Sequence, residues 1–182
     1  MRRSIGVIEF KSIAKGIAAT DEMVKAANVS IITASSLCPG KYITIVTGDV
    51  AAVNASVEVG VQIGDMFCTN HFVISNVHES IFPAITGTAS YDQIRSIGIV
   101  ETMSAIGAIQ AGDTAAKTAD VDVVDIRIAR GLGGKGFVVL SGDVSAVQAS
   151  VQACEELLKE SGDIIATTVI PSPNADFKNY LV

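Results

Sequence analysis

The chain has 182 residues, of which 49% are hydrophobic but only 5% aromatic, so its apolar side chains are mostly Ala, Val and Ile. The net charge of −6 gives no basic field for nucleic acid, and no run of ~18 apolar residues predicts a membrane span. We therefore expect a soluble protein with surplus apolar surface buried between subunits. Three cysteines at unpaired spacing, without a secretion signal before them, indicate a reducing cytoplasm rather than a disulfide scaffold.

The first half of the chain predicts strands and helices in alternation. Residues 4–9 predict a short strand, and apolar side chains at helical spacing predict a helix through about residue 27. A second strand is expected from residue 29 to about 37 and a third from 42 to 47, so the two form a hairpin. Asp49 is the expected N-cap of a following helix that starts at Val50.

The second helix carries a conflicting signal, because residues 57–63 alternate between apolar and other side chains as a strand would. The matching segment of the second half, residues 149–159, has a clear helical pattern, so we predict helix in both. A fourth strand is expected from about residue 66 to 74, with a counterpart at 164–170. A short helical stretch near residues 79–85 and the segment that follows it join the halves.

The chain is a tandem duplication. Residues 4–9 (SIGVIE) recur as 96–101 (SIGIVE), and eight of the ten residues in 48–57 recur at 142–151. The second spacing is longer by two, 94 against 92, which places two extra residues in the glycine-rich segment 131–136. Each copy has the order β-α-β-β-α-β, so we predict an α+β fold with two ferredoxin-like domains, residues 1–90 and 91–182, each an antiparallel four-stranded sheet backed by helices.

The two copies differ most at the loop Ser36-Leu37-Cys38-Pro39-Gly40-Lys41-Tyr42. Pro39 has a fixed φ and Gly40 tolerates positive φ, so the pair predicts a sharp reversal with Cys38 at a turn. An iron–sulfur cluster needs three or four thiolates, and no second thiol or imidazole is near Cys38 in the sequence. Any metal site here must therefore take ligands from other chains. The alternative is a free cysteine packed as a small hydrophobic residue.

Other candidate chemistry is weaker. His71 or His78 could pair with Cys38 as base and nucleophile, but nothing in their spacing requires it, and we expect surface or core roles for both. Cys68 and Cys154 lie in a predicted strand and a predicted helix, where we expect structural thiols. Segment 131–136 resembles a phosphate-binding loop, but it lacks the GxGxxG order and leads into a strand. We expect no enzymatic activity.

These motifs together resemble the shell proteins of bacterial microcompartments, specifically the tandem BMC-domain type that forms trimers imitating hexamers. The resemblance covers nearly the whole chain. It rests on residues 4–9, 21–29 (DEMVKAANV), 47–50 (TGDV) with the Ala/Val-rich helix after it, and 169–173 (VIPSP). It implies a structural protein of a cytoplasmic compartment whose partners are its own copies, neighbouring shell proteins and encapsulated redox enzymes.

In this family the loop between the second and third strands lines a central pore. The implied pore loops are Ser36, Leu37, Cys38, Pro39, Gly40 and Lys41 in the first copy, and Arg130, Gly131, Leu132, Gly133, Gly134 and Lys135 in the second. The first loop resembles that of the PduT-type shell proteins, which implies one [4Fe-4S] cluster per homotrimer, held on the three-fold axis by Cys38 of each chain. Electron transfer across the shell or cluster delivery would follow. The alternatives are a cluster-free tile with a gated metabolite pore, and a ferredoxin-like small-molecule sensor that never tiles.

The resemblance also implies a tile edge. Lys25 and Lys117 match the family's edge lysine, which lies antiparallel to its mate on the next tile; the alternative is a solvated helix lysine. The sequence departs from the usual edge pattern after each fourth strand, where the family often has an arginine. This departure favours a minor facet component over a bulk tile.

Overall fold

The computed structural model describes residues 4–91, 93–128, 131–178 and 180. The chain divides into two compact units, Met1–Val77 and His78–Val182. The predicted domains, 1–90 and 91–182, were drawn from the sequence repeat and stay a prediction of where the duplicated segments join. No helix in the described ranges is long and apolar enough to cross a membrane.

Unit 1 has the predicted β-α-β-β-α-β order. Its elements are β1 (Ser4–Phe10), α1 (Ile13–Ala26), β2 (Ser30–Leu37), β3 (Lys41–Gly48), α2 (Val50–Gly64), a 3₁₀ turn (Asp65–Phe67) and β4 (Cys68–Ile74). The strands form one antiparallel sheet in the order β2-β3-β1-β4. The predicted α+β fold is confirmed.

Unit 2 repeats this order after a short linking helix. Its elements are α3 (Ile81–Thr86), β5 (Ser96–Thr102), α4 (Ala105–Thr118), β6 (Val121–Ile128), β7 (Gly136–Gly142), α5 (Val144–Leu158), β8 (Ile164–Ile170) and α6 (Ala175–Lys178). Its antiparallel sheet has the order β6-β7-β5-β8, which matches that of unit 1 strand for strand. The linking helix α3 packs on β6 and α4.

The core of unit 1 lies between the sheet and its two helices. Ile8, Phe10 and Val46 are buried there against α1 and α2. Gly6 lets α2 approach the central strand, because a Cβ at that position would lie 2.6 Å from a methyl group of Val57. Gly98 has the same role in unit 2, where a Cβ would lie 2.7 Å from Val147. The repeated glycine thus sets the distance between the second helix and the sheet in both copies.

Three local predictions have different outcomes in the structure. Residues 57–63 belong to α2, so the helix predicted from the duplicate is confirmed. Asp49 occupies the N-cap position of α2, but its side chain makes no capping hydrogen bond. Its counterpart Asp143 instead accepts a hydrogen bond from Arg95, 2.7 Å from Nη1 to Oδ1. The fourth strand begins at Cys68 rather than near residue 66, because the 3₁₀ turn occupies the start of the predicted strand.

Candidate functional site

The hairpin between β2 and β3 carries Cys38 at its tip. The loop has three residues, Cys38, Pro39 and Gly40, between the paired residues Leu37 and Lys41. Gly40 has a φ of +80°, which favours glycine, and its N–H donates to the Leu37 carbonyl at 3.0 Å. The Cys38–Pro39 peptide bond is cis. The predicted reversal is confirmed, and it leaves the Cys38 thiol half-buried at a turn.

Both residues that flank this loop are anchored. Leu37 is buried, with 4% of its surface exposed. The Lys41 ammonium lies 3.2 Å from Oε2 of Glu9, a residue of the neighbouring strand β1. Glu9 is only 3% exposed, and its Oε1 has no hydrogen-bond partner in the described part of the chain. The sequence reasoning did not identify Glu9 as a site residue, although a glutamate recurs at the same place in the repeat, as Glu101.

The second hairpin has a longer tip without a thiol. The pair Ile128–Gly136 is equivalent to Ser36–Tyr42 of the first hairpin. Seven residues (129–135) lie between the first two, against five (37–41) in the first hairpin, which confirms where the two extra residues lie. Three glycines of this tip have positive φ: Gly131, Gly133 and Gly134. Leu132 accepts a hydrogen bond from the Lys135 N–H at 3.2 Å. Arg130, also predicted in this pore loop, lies outside the described residues.

Both tips point into open space. A Cβ added at Gly40, Gly131 or Gly133 would meet no other atom within 4 Å. Whether these loops line a pore is a property of an assembly, so that role of the twelve loop residues stays a prediction.

A single chain does not form a metal site in the ranges that the structure describes, where no three His, Cys, Asp or Glu side chains cluster. A [4Fe-4S] cluster is ligated by Cys thiolates. One chain offers a single thiol at a projecting tip, so the residues fit such a cluster only if several copies of the hairpin meet. A site shared between chains stays a prediction.

The other two thiols are unsuited to that role. Cys154 is fully buried in α5, its S–H donates to the Ala111 carbonyl at 3.2 Å, and burial raises its pKa to about 12. Burial also raises the pKa of the Cys68 thiol. Because the thiolate is the metal ligand, burial disfavours the binding form of both groups. Their expected structural role agrees with these positions.

His71 does not form a catalytic pair with Cys38 within unit 1. His71 lies on β4, two strands away from β3 in the sheet. The His78 ring is engaged locally, with Nδ1 2.8 Å from Oγ of Ser80. The geometry of unit 1 thus gives no support to a Cys38–His71 nucleophile and base.

The two predicted edge lysines lie at equivalent positions in different surroundings. Lys25, in the last turn of α1, is exposed and forms ion pairs with Asp21 and Glu22. The hydrogen bond with Asp21 is the main cause of its raised pKa. Lys117 lies 2.6 Å from Oδ2 of Asp113, a buried residue whose Oδ1 also accepts the His78 N–H at 2.8 Å. The edge role of both lysines stays a prediction.

Comparison with known proteins gives the family. The BMC domain model matches residues 4–77 and again 96–173. The chain is 38% identical, over its full length and 99% of the relative, to the bacterial microcompartment shell protein PduT of Citrobacter freundii. It is 36% identical to the shell protein PduA of the same organism over 49% of this chain and 94% of that protein.

A solved structure agrees over the whole fold. It is the crystal structure of a microcompartment protein from Desulfitobacterium hafniense, with a TM-score of 0.94 and 45% sequence identity, covering 98% of this chain and 99% of that one. PduA matches about half of the chain, whereas PduT matches all of it, which agrees with two BMC domains in tandem. The chain therefore belongs to the BMC-domain family and is a structural shell protein of a bacterial microcompartment.

Proposed function

We propose that this shell protein is a homotrimer with one [4Fe-4S] cluster on its three-fold axis, ligated by Cys38 of each chain. The observation that carries the proposal is the first hairpin, which presents a thiol at a three-residue tip between anchored residues. The full-length similarity of the chain to the PduT shell protein also supports the proposal. Three chains then supply three thiolates, and one iron keeps a position for another ligand.

The cluster would supply one-electron transfer at the centre of the tile. The chain's own contribution is to hold the thiol at the tip and to surround it with loop backbone, whose N–H groups can stabilise charge on the sulfurs. We propose that this arrangement moves electrons across the shell or delivers a cluster to encapsulated redox enzymes. In this proposal the protein is not an enzyme, and it works in the cytoplasm beside neighbouring shell proteins.

Two tandem domains per chain and three chains per tile give a six-domain ring that can replace a hexamer in a flat sheet. We propose that Lys25 and Lys117 contact neighbouring tiles at its edges. Both lie in the last turn of the first helix of their domain, and both keep partial exposure.

The test is anaerobic purification followed by iron and sulfide analysis per chain and EPR of the dithionite-reduced protein. We expect about four irons for three chains with a reduced-cluster signal. Cys38→Ala should remove both while leaving the trimer intact, whereas the matched control Cys68→Ala should leave both unchanged. Iron-free protein that is still trimeric after anaerobic reconstitution would contradict the cluster.

The second candidate function is a cluster-free tile with a gated metabolite pore. The observation that favours it is the glycine-rich tip of the second hairpin, with three positive-φ glycines, of which Gly131 and Gly133 face open space. It predicts a trimer without iron and a shell whose permeability changes when that tip is shortened. The sensor hypothesis loses its support, because the family is a family of shell proteins.

A further inference from the structure

We propose that the Glu9–Lys41 ion pair is a tether that positions the Cys38 thiol for shared metal binding. The inference rests on the proposed function and adds two positioning residues to it. Lys41 is the first residue after the thiol loop and pairs with Leu37 across the hairpin. Its ammonium is bound at 3.2 Å to the Glu9 carboxylate on β1. Backbone pairing joins β3 to β1 as far as Tyr42, opposite Phe10, and the ion pair extends this attachment by one residue, to Lys41 at the base of the tip.

Burial makes this tether hard to release. Glu9 is 3% exposed, and its Oε1 has no partner in the described part of the chain. Lys41 is therefore the one cation that compensates this carboxylate there. The Lys41 side chain is 33% exposed, but its removal would leave the buried Glu9 carboxylate uncompensated, which is more costly than losing an exposed pair. Lys41 consequently stays on Glu9, and the Cys38 loop starts from a fixed position.

The duplicated half contains the same pair in a more exposed form. Lys135 lies 3.0 Å from Glu101, at the equivalent place beside the second hairpin. The Glu101 side chain is 35% exposed, so water can solvate its carboxylate when the lysine leaves. Its loop carries no thiol. The pair with the buried carboxylate thus occurs in the copy whose tip must place a metal ligand, and the second copy provides a matched control.

The experiment measures Cys38 position without needing the cluster. Cluster-free protein is treated with iodoacetamide, and peptide mass spectrometry gives the alkylation rates of Cys38 and Cys68. Lys41→Met is compared with Lys41→Arg, with the control Lys135→Met and with the double variant Glu9→Gln/Lys41→Met. Iron content after anaerobic reconstitution is measured on the same set.

We expect Lys41→Met to raise the alkylation rate of Cys38 about threefold or more, because the base of the loop opens locally more often. Lys41→Arg should restore the slow rate, and Lys135→Met should not change it. The double variant removes the buried charge together with the tether, so it should fold well and still react fast.

Iron content should fall in Lys41→Met and in the double variant, and not in Lys135→Met. An unchanged Cys38 rate in both Lys41→Met and the double variant would overturn the tether, as would an equal rise at Cys68, which would indicate general loosening of the unit. Wild-type protein without iron would refute the proposed cluster, while the alkylation rates would still decide the tether.

Discussion

Mixing intact and mutated chains should show how many Cys38 thiolates the site needs. The perturbation is co-expression of the wild-type chain with Cys38→Ala, at ratios measured by intact-mass spectrometry. Each chain contributes a single thiol at the hairpin tip, and no group of three metal-binding side chains occurs in the ranges that the structure describes. All of the cluster iron should therefore depend on trimers that hold enough intact copies.

The expected magnitude follows from one ligand per chain. If chains assemble at random into symmetric trimers, equal amounts of the two leave about one trimer in eight with three intact thiols. Iron per trimer should then fall to about one eighth of the wild-type value. It should follow the third power of the wild-type fraction over the whole range of ratios.

The assay is colorimetric iron on anaerobically reconstituted trimers after size-exclusion chromatography. The control is the same mixture made with Cys68→Ala, which should keep full iron at every ratio. Iron at about half of the wild-type value in the equal mixture would refute the reasoning, because independent binding by each chain or a site of two thiolates would give that result.

Three further predictions concern stability and assembly. The raised pKa of Cys154 means that the folded protein keeps a proton between pH 9.0 and about 12 that the unfolded chain loses. The stability advantage of wild type over Cys154→Ser should therefore be full below pH 9 and fall above it, by at most ~1.4 kcal/mol per pH unit in urea unfolding; a constant difference would contradict this. Gly60→Ala would place a Cβ 2.7 Å from a methionine sulfur and 3.1 Å from an isoleucine methyl group. It should lower the free energy of unfolding by about 1–3 kcal/mol, partly offset by better helix propensity, and an unchanged urea midpoint would show that the core yields there. Lys25→Ala should abolish the sheet assembly seen by electron microscopy without changing thermal stability. Lys117→Ala should abolish it too and should lower the free energy of unfolding by about 1–3 kcal/mol, because its buried aspartate partner loses a hydrogen bond. Intact sheets in both variants would refute the edge role.

The fold was predictable because the same pattern of strands and helices occurs twice in the sequence. The alternating pattern of residues 57–63 predicted a strand when taken alone, and only the helical pattern of the duplicate resolved it in favour of α2. Residue-type rules for helix caps predicted the ends of the elements less well. Asp49 is a residue type that caps helices, yet its side chain makes no such bond, while Ser12 and Ser104 do cap α1 and α4.

The candidate site was predictable in its loop and not in its support. Pro39 and Gly40 are local signals, so the turn that presents Cys38 could be inferred from the residues themselves. The Glu9–Lys41 pair spans 32 residues, and such a contact depends on which strands become neighbours in the sheet. The repeat held a clue, since Glu101 and Lys135 stand 34 residues apart, longer by the same two residues as the second loop. The difference in exposure between Glu9 and Glu101 is not indicated by any local pattern in the sequence.

Fusion of the two domains in one polypeptide also fixes the ratio of the two kinds of hairpin at one to one. The thiol-bearing hairpin and the glycine-rich hairpin lie in units joined by a continuous chain, so each translation event produces one of each. Two separately encoded single-domain proteins would depend on relative expression and would assemble as a mixture of rings. The fused chain makes composition independent of gene dosage, and each domain can then diverge without risk that its partner is missing.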